Sequence, residues 1–215
     1  MWLRLFPLQA VVLFPGMELP LVVFEPRYRQ LTQECLDADE PFGVLLLRRG
    51  MEAGDPDAVP FEVGTTARIK SVREAEDGQL RLTVTGERRF RVESFDHSRP
   101  YLSAEAHFLD TSPTEDAVDP GLVDEVREMG GRLIQALAAR RGGWMRSAHL
   151  PNDPVALSFF WADFLSGDKE EQQRLLEAPT ARERLEQERS LLRDILDYMA
   201  RRPSRGSWKP GFGRN

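Results

Sequence analysis

The sequence predicts an α+β protein in which a β-rich half precedes a helical half. From Leu3 to about Asp110 the apolar residues alternate with polar ones or form short runs bounded by Gly, Pro and acidic turns, which is typical of strands. After Pro113 the apolar spacing becomes that of helices. The predicted organisation is a β lobe over residues 1–112, a helical lobe over 113–202 and a flexible basic tail over 203–215.

The first segment, from Met1 to Phe24, is apolar but interrupted by prolines and by charged residues. This pattern predicts short strands joined by turns rather than a signal peptide or a membrane span. Phe14-Pro15-Gly16 predicts one of these turns, since proline presets φ and glycine can adopt a positive φ. A short helix should begin at Pro26 and bury the side chains that share one face, namely Tyr28, Leu31 and Cys35.

The remaining strands of the β half differ in how many of their faces are apolar. The short continuous run from Gly43 to Leu47 predicts a strand buried on both faces, whereas Thr66 to Val72 and Tyr101 to Phe108 alternate as half-buried strands do. Leu80 to Val92 alternates as one long strand, in which Gly86 should mark a bulge or a bend.

Three helix starts are predicted in the second half. Asp119-Pro120 and Asp153-Pro154 each combine a capping carboxylate with a first-turn proline, and Thr180 to Glu183 has the spacing of a capping box. The first helix should bury the stripe Leu122, Val126, Met129, Leu133 and Leu137 and end before Gly142-Gly143. The last helix should extend from Thr180 to Arg202 and bury Leu185, Leu192, Ile195, Leu196 and Met199.

Composition narrows the classes of function. The chain has 215 residues, of which 41% are hydrophobic and 30% charged, as in folded globular proteins. Its net charge of −6 argues against a general affinity for nucleic acid or anionic membrane. Cys35 is the single cysteine, so no intrachain disulfide can form, and a reducing cytoplasm is the expected compartment.

The residue patterns of several enzyme classes are missing. The sequence has no Gly-Lys dipeptide and therefore no P-loop for ATP. His97, His107 and His149 are isolated and lack the spacing of a zinc site, and Cys35 lies on the apolar face of its helix as a core thiol would. We therefore predict no catalytic residues, no metal and no cofactor.

Short motifs in a fixed order resemble the N-terminal domain of Lon proteases. The run LFPLQAVVLFPGMELPLVVFEPRYRQLTQECL, from Leu5 to Leu36, contains a Phe-Pro strand, an FPG turn and an FEPRY helix start. VGTTARIKSV, from Val63 to Val72, and GERRFRV, from Gly86 to Val92, match two further motifs of that family. The resemblance continues more loosely through the helical half, including Gly167 to Leu192.

The resemblance implies a PUA-like β-barrel lobe followed by a helical lobe. It also implies a substrate-binding domain that engages unfolded or tagged polypeptide in protein quality control. Because the ATPase motif is missing and the peptidase would lie downstream, the chain is expected to be a stand-alone, non-catalytic form of this domain.

One helical segment is the first candidate for binding polypeptide. Val155 to Leu165, VALSFFWADFL, would be apolar around almost its whole circumference. It is either core shared between the two lobes or a patch exposed in part, above all at Phe159, which lies off the face of its aromatic neighbours. The residues proposed for such a patch are Trp144, Met145, Phe159, Phe160 and Trp161.

A basic strand face is the alternative. If Leu82 and Phe90 point inward, alternation sends basic residues of the same strands outward. These residues are Arg68, Lys70, Arg81, Arg89 and Arg91. They would support an RNA-binding PUA-like protein, or simply a solvated face paired with nearby glutamates.

The function predicted from the sequence is therefore recognition of an unfolded polypeptide or of a protein partner. Membrane binding is not expected, nucleic acid is the weaker alternative, and self-association is left open. A small-molecule or enzymatic role would require a deep pocket with convergent polar groups.

Overall fold

The structure is a computed structural model, and it describes residues 1–50, 55, 57–75, 78–109, 118–140, 150–165 and 167–201. It divides the chain into two compact units, Met1–Asp110 and Thr111–Asn215. Strands occupy the first unit together with one helix, and helices occupy the second. The predicted α+β class is confirmed, whereas the proposed tail over 203–215 lies outside the described residues.

The first unit contains a mixed sheet and helix α1, Pro26–Ala38. Its strands are β1 (Trp2–Leu8), β2 (Glu18–Val23), β3 (Phe42–Arg49), β4 (Val59–Pro60), β5 (Val63–Glu74), β6 (Leu80–Asp96) and β7 (Ser103–Phe108). The strand order is β1-β7-β6-β5-β3-β4, and β1 also pairs in parallel with β3. The pairings therefore return from β3 to β1, while β2 pairs with β6 outside this path.

The sheet separates two hydrophobic clusters. Along β3, Val44 belongs to the cluster that contains α1, whereas its neighbour Leu45 belongs to the other cluster, with Leu5 and Phe90. Consecutive residues of a strand point to opposite faces, so β3 is buried on both sides. The prediction from its continuous apolar run is confirmed, since every residue from Phe42 to Leu47 is buried.

A bulge in β6 reverses which face of the strand is covered. Ala67 of β5 lies opposite Gly86 and Thr65 lies opposite Arg89, so β6 contains one residue more than its partner in this interval. Before the bulge Leu82 packs in the cluster with α1, and after it Phe90 packs in the other cluster. The bulge predicted at Gly86 is therefore confirmed.

The second unit contains α2 (Pro120–Arg140), α3 (Pro154–Leu165), α4 (Lys169–Glu177) and α5 (Ala181–Arg201). All three predicted starts are capped, because side-chain oxygens of Asp119, Asp153 and Thr180 accept bonds from backbone amides at 3.1, 2.8 and 3.2 Å. The predicted α2 stripe is buried throughout. Gly142-Gly143, its predicted end, lies outside the described residues.

Helix α3 fits closely against α2 at one point. A Cβ added to Gly130 of α2 would lie 2.0 Å from Cζ2 of Trp161, whose side chain is fully buried. The indole of Trp161 therefore occupies the space that a side chain at position 130 would need. Sequence periodicity did not indicate this contact. It also did not predict α4, whose N-cap residue Asp168 accepts a hydrogen bond from the Glu170 amide at 3.1 Å.

None of the helices within the described ranges is both long enough and apolar enough to cross a membrane.

Candidate functional site

The aromatic residues proposed on α3 are mostly buried. Phe159 is 7% exposed and Trp161 is 0% exposed, while Phe160 is partly buried. Trp161 makes edge-on contacts with Phe160 and Phe164 at ring-centroid distances of 5.1 and 5.4 Å. Trp161, Phe160 and Phe164 belong to the hydrophobic core of the second unit. Trp144 and Met145, proposed as an extension of the patch, lie outside the described residues.

Phe159 points away from this aromatic cluster, as the helical spacing predicted, but it does not reach solvent. The guanidinium of Arg184 lies over its ring, 4.2 Å from the ring centroid. The same guanidinium donates to the Ser158 hydroxyl at 2.9 Å and to the Ala178 carbonyl at 3.0 Å. The buried guanidinium of Arg184 therefore covers the Phe159 ring, which the sequence suggested as part of an exposed patch.

The basic strand face proposed on β5 and β6 is only partly present. Arg89 is 5% exposed, so its predicted outward position is wrong. The bulge after Gly86 breaks the alternation, and Arg88 takes the exposed position with its guanidinium 3.5 Å from the Phe108 ring centroid. Arg68 is neutralised by Glu87 at 2.6 Å. The remaining proposed residues, Lys70, Arg81 and Arg91, are exposed.

The most exposed large hydrophobic residues lie instead on or next to β2. Phe24 is 62% exposed and Val22 is 50% exposed, more than any other large hydrophobic side chain that the structure describes. Burial alternates strictly along the strand, with Leu19, Leu21 and Val23 in the core. The opposite side, which we call the β2 outer face, consists of Glu18, Pro20, Val22 and Phe24.

The turn before β2 fixes the position of this strand. Pro15 and Gly16 occupy its centre, Gly16 has φ +81°, and the Met17 amide donates to the Phe14 carbonyl at 3.1 Å. These features confirm the predicted turn, of type II. The Gly16 amide also donates to the Gly86 carbonyl at 2.8 Å, which holds the turn against β6. Gly86 has to lack a side chain because an added Cβ would lie 2.3 Å from the Phe14 oxygen.

Pairing with β6 and β5 places charged residues beside the β2 outer face. Val22 lies opposite Arg81, and Arg81 lies opposite Arg73 of β5. All three side chains are exposed, whereas Leu21, Val23 and Leu82, which flank the first two, are buried. Val22, Arg81 and Arg73 therefore form one exposed row across three neighbouring strands.

Helix α1 closes the other side of this region. Its confirmed buried face contains Tyr28, Leu31 and Cys35, and burial raises the pKa of the Cys35 thiol to about 11, so the thiol stays protonated. Arg29 of this helix donates to the Gly78 carbonyl and lies 3.5 Å from Glu74. These contacts tie the start of α1, which begins two residues after Phe24, to the hairpin between β5 and β6.

A polar cluster ties the same helix to β1. Glu34 accepts bonds from the Tyr101 hydroxyl, from Arg4 at 3.1 Å and from Arg99 at 3.2 Å. The Tyr101 hydrogen bond is the main reason why the pKa of Glu34 falls to about 2. Because every member of this cluster bonds to another member, we interpret it as an anchor for α1.

The described residues supply no metal centre. No group of three or more His, Cys, Asp and Glu side chains within them could hold a metal ion. His97 is exposed, and the ring of His107 lies 2.9 Å from Glu93 at the surface. The candidate site is therefore the β2 outer face, an apolar strand face with Arg81 and Arg73 beside it.

Comparison with known proteins assigns the family. The model of the ATP-dependent protease La (LON) substrate-binding domain matches residues 2–194. The chain belongs to this family.

Two relatives show how far the similarity extends. The Lon protease of Methylocella silvestris is 27% identical over 92% of this chain, and that of Paraburkholderia phytofirmans is 29% identical over 93% of it. The matched part is 24% of each relative, so the chain spans about a quarter of the length of these Lon proteases.

Solved structures agree with the family assignment. A Lon N-terminal domain protein from Xanthomonas campestris aligns with a TM-score of 0.64 and 27% identity, covering 87% of this chain and 96% of that one. The N-terminal domain of a Mycobacterium avium complex Lon protease aligns with a TM-score of 0.63 over 90% of this chain and 99% of that one. At 19% identity the second structure supports the fold alone.

Proposed function

We propose that the chain is a non-catalytic polypeptide-recognition module that binds exposed apolar segments of other proteins through the β2 outer face. Its membership of a substrate-binding domain family supports a binding role. The observation that carries the proposal is the exposure of Phe24 and Val22 at 62% and 50%. Neighbouring exposed apolar side chains on a rigid strand are a common element of protein interfaces.

The fold is well suited to such a role. We interpret the ring of pairings from β1 through β7, β6, β5 and β3 as the PUA-like barrel that the family resemblance implies. Since β2 pairs with β6 outside this ring, the outer face rests on a strand whose backbone is already bonded to a stable sheet. A surface held in this way can bind a segment without a large ordering cost.

A role in protein quality control follows from the same proposal. Unfolded proteins expose apolar segments that folded proteins bury, so an apolar binding face distinguishes the two states. The RNA-binding alternative has less support, because Arg89 is buried and Arg68 is neutralised by Glu87.

The test is binding of a permanently unfolded probe, reduced and carboxymethylated lactalbumin, measured by fluorescence anisotropy. Replacing Val22 and Phe24 together by serine should weaken binding by more than about 1 kcal/mol, roughly fivefold or more. The matched control replaces Leu36 and Val59, which are 42% and 38% exposed in the same unit but lie off the β2 outer face. Equal losses in the two variants, or no loss in either, would contradict the proposal.

A further inference from the structure

We propose that Arg73 and Arg81 make this surface selective for polypeptide segments in which an acidic side chain lies two residues from a large apolar one. This inference rests on the proposed function and names the class of segment that the β2 outer face selects. The apolar side chain would lie on Val22 and Phe24, and the carboxylate would bind between the two arginines.

The argument starts from the cross-strand position of the two arginines. Arg73 and Arg81 are direct partners in the antiparallel pair of β5 and β6, and both are exposed. Direct partners have Cβ atoms about 4.5–5.5 Å apart, and like charges at this separation destabilise a sheet. A pair of this kind is favourable when an anion neutralises it, because guanidinium groups bind carboxylates through paired hydrogen bonds.

Within the described part of the chain, no acidic side chain forms an ion pair with Arg73 or Arg81. Glu74 follows Arg73 directly, but it points to the α1 side of the sheet and lies 3.5 Å from Arg29. Glu18 lies on the β2 outer face, but it is four residues from Val22 along the strand, or about 13 Å.

Arg68, which is partly buried on the same sheet, contrasts with these two arginines because it has acidic partners. Arg68 lies on the same side of β5 and β6, opposite Thr85, and contacts Glu87 at 2.6 Å and Asp39 at 3.4 Å. Its side chain is 33% exposed, whereas Arg73 and Arg81 are exposed. Among the described residues, Arg73 and Arg81 are therefore the two exposed arginines beside the apolar face that have no acidic partner.

The spacing of the row fits an extended polypeptide. Neighbouring strands lie about 4.8 Å apart, so a carboxylate midway between Arg81 and Arg73 is about 7 Å from the position of Val22. Side chains two residues apart on one side of an extended chain are separated by about 6.6 Å. A segment crossing the strands can therefore place an apolar residue on β2 and an acidic residue on the arginines at the same time.

A polypeptide fits this face better than a nucleic acid does. Single-stranded nucleic acid binds where several aromatic platforms alternate with basic groups. Phe24 is the one exposed aromatic residue among the described residues on this side of β2, β5 and β6, and the chain carries a net charge of −6. An apolar residue beside two cations is complementary to an apolar residue beside an anion.

The experiment compares two short labelled peptides that differ only in carrying Asp or Asn two residues after a Phe. The wild-type chain should bind the Asp peptide about threefold to tenfold more tightly, as expected for exposed charge-assisted contacts. The preference should shrink as salt is raised. Arg73→Gln/Arg81→Gln should bind both peptides equally, and Arg73→Glu/Arg81→Glu should prefer a matched Lys peptide.

The control variant is Arg49→Gln/Arg91→Gln, which removes the same charge from two exposed positions outside the row. It should retain the preference for Asp. If the wild-type chain binds both peptides equally while Phe24→Ser weakens both, the selectivity is refuted and the proposed function stands. If neither peptide binds and the unfolded probe also fails, both proposals are refuted. A uridine-rich RNA oligonucleotide could instead bind more tightly than either peptide, in a manner that Arg73→Gln/Arg81→Gln abolishes. That result would show that the two arginines bind nucleic acid rather than an acidic polypeptide segment.

Discussion

Helix α3 and strand β2 are both strongly apolar, yet they occupy opposite environments. On α3, Phe159 is 7% exposed and Trp161 is 0% exposed. On the β2 outer face, Phe24 is 62% exposed. The apolarity of a segment therefore does not tell whether it forms a surface.

What decides exposure is how many sides of the segment the fold covers. Helix α3 is apolar around its circumference, and its neighbours α2, α4 and α5 belong to the same unit. Strand β2 is also apolar on both faces, but only one of them packs in the core. A helix without a polar face has to be surrounded, whereas a strand can leave one apolar face in solvent.

The largest expected effect comes from truncating one aromatic side chain in each segment. Phe159→Ala should destabilise the protein by about 3–5 kcal/mol, because it leaves a cavity and removes the ring beneath Arg184. Phe24→Ala should change stability by no more than about 0.5 kcal/mol, as at other exposed sites. Urea unfolding followed by circular dichroism measures both values. Similar losses of unfolding free energy in the two variants would show that α3 and the β2 outer face do not differ in burial.

A second prediction uses two adjacent glycines of α2. Replacing a helical glycine by alanine ordinarily stabilises by about 1 kcal/mol. Gly131 has open space around its Cβ position, so Gly131→Ala should show this gain. Gly130→Ala should instead destabilise by about 1–3 kcal/mol, because its Cβ would lie 2.0 Å from Trp161. Thermal unfolding of the two variants measures the difference, and a gain at Gly130 would show that the indole is loosely packed.

The smallest expected effect concerns a polar group buried in the helical unit. Glu188 is fully buried, its carboxylate oxygens have no hydrogen-bond partner among the described residues, and burial raises its pKa well above 4.5. Above about pH 4.5 the unfolded chain releases this proton while the folded chain keeps it, so stability falls as pH rises. Glu188→Gln should therefore stabilise by about 1 kcal/mol at neutral pH and have little effect near pH 4.

Glu186→Gln is the matched control for this measurement. Glu186 is 44% exposed and pairs with Arg182 at 3.0 Å, so its replacement should change stability by no more than about 0.5 kcal/mol. Denaturant midpoints at both pH values compare the variants. A Glu188→Gln variant that is less stable than the wild type at neutral pH would show that the folded state holds Glu188 ionised.

Local patterns in the sequence predicted most of the helices and strands, although not α4. Asp119 and Asp153 marked helix starts, the stripe from Leu122 to Leu137 marked a buried face, and Gly86 marked the bulge in β6. Each of these signals depends on the geometry of a single helix or strand. The residues that produce the signal are therefore close together in the sequence. The ordered Lon-like motifs also indicated the family, and the match over residues 2–194 confirms it.

The candidate site depended on pairings between distant residues. The row of Val22, Arg81 and Arg73 exists because three strands align in register, and no spacing within one segment shows that alignment. The burial of Arg89 followed from a bulge whose effect on side-chain direction depends on how β6 faces β5. The sequence by itself determined most of the helices and strands and the family to which they belong, whereas the tertiary structure decided which apolar and basic side chains reach solvent together. Burial is a property of what packs against a residue, and for this protein the partners lie far away along the chain.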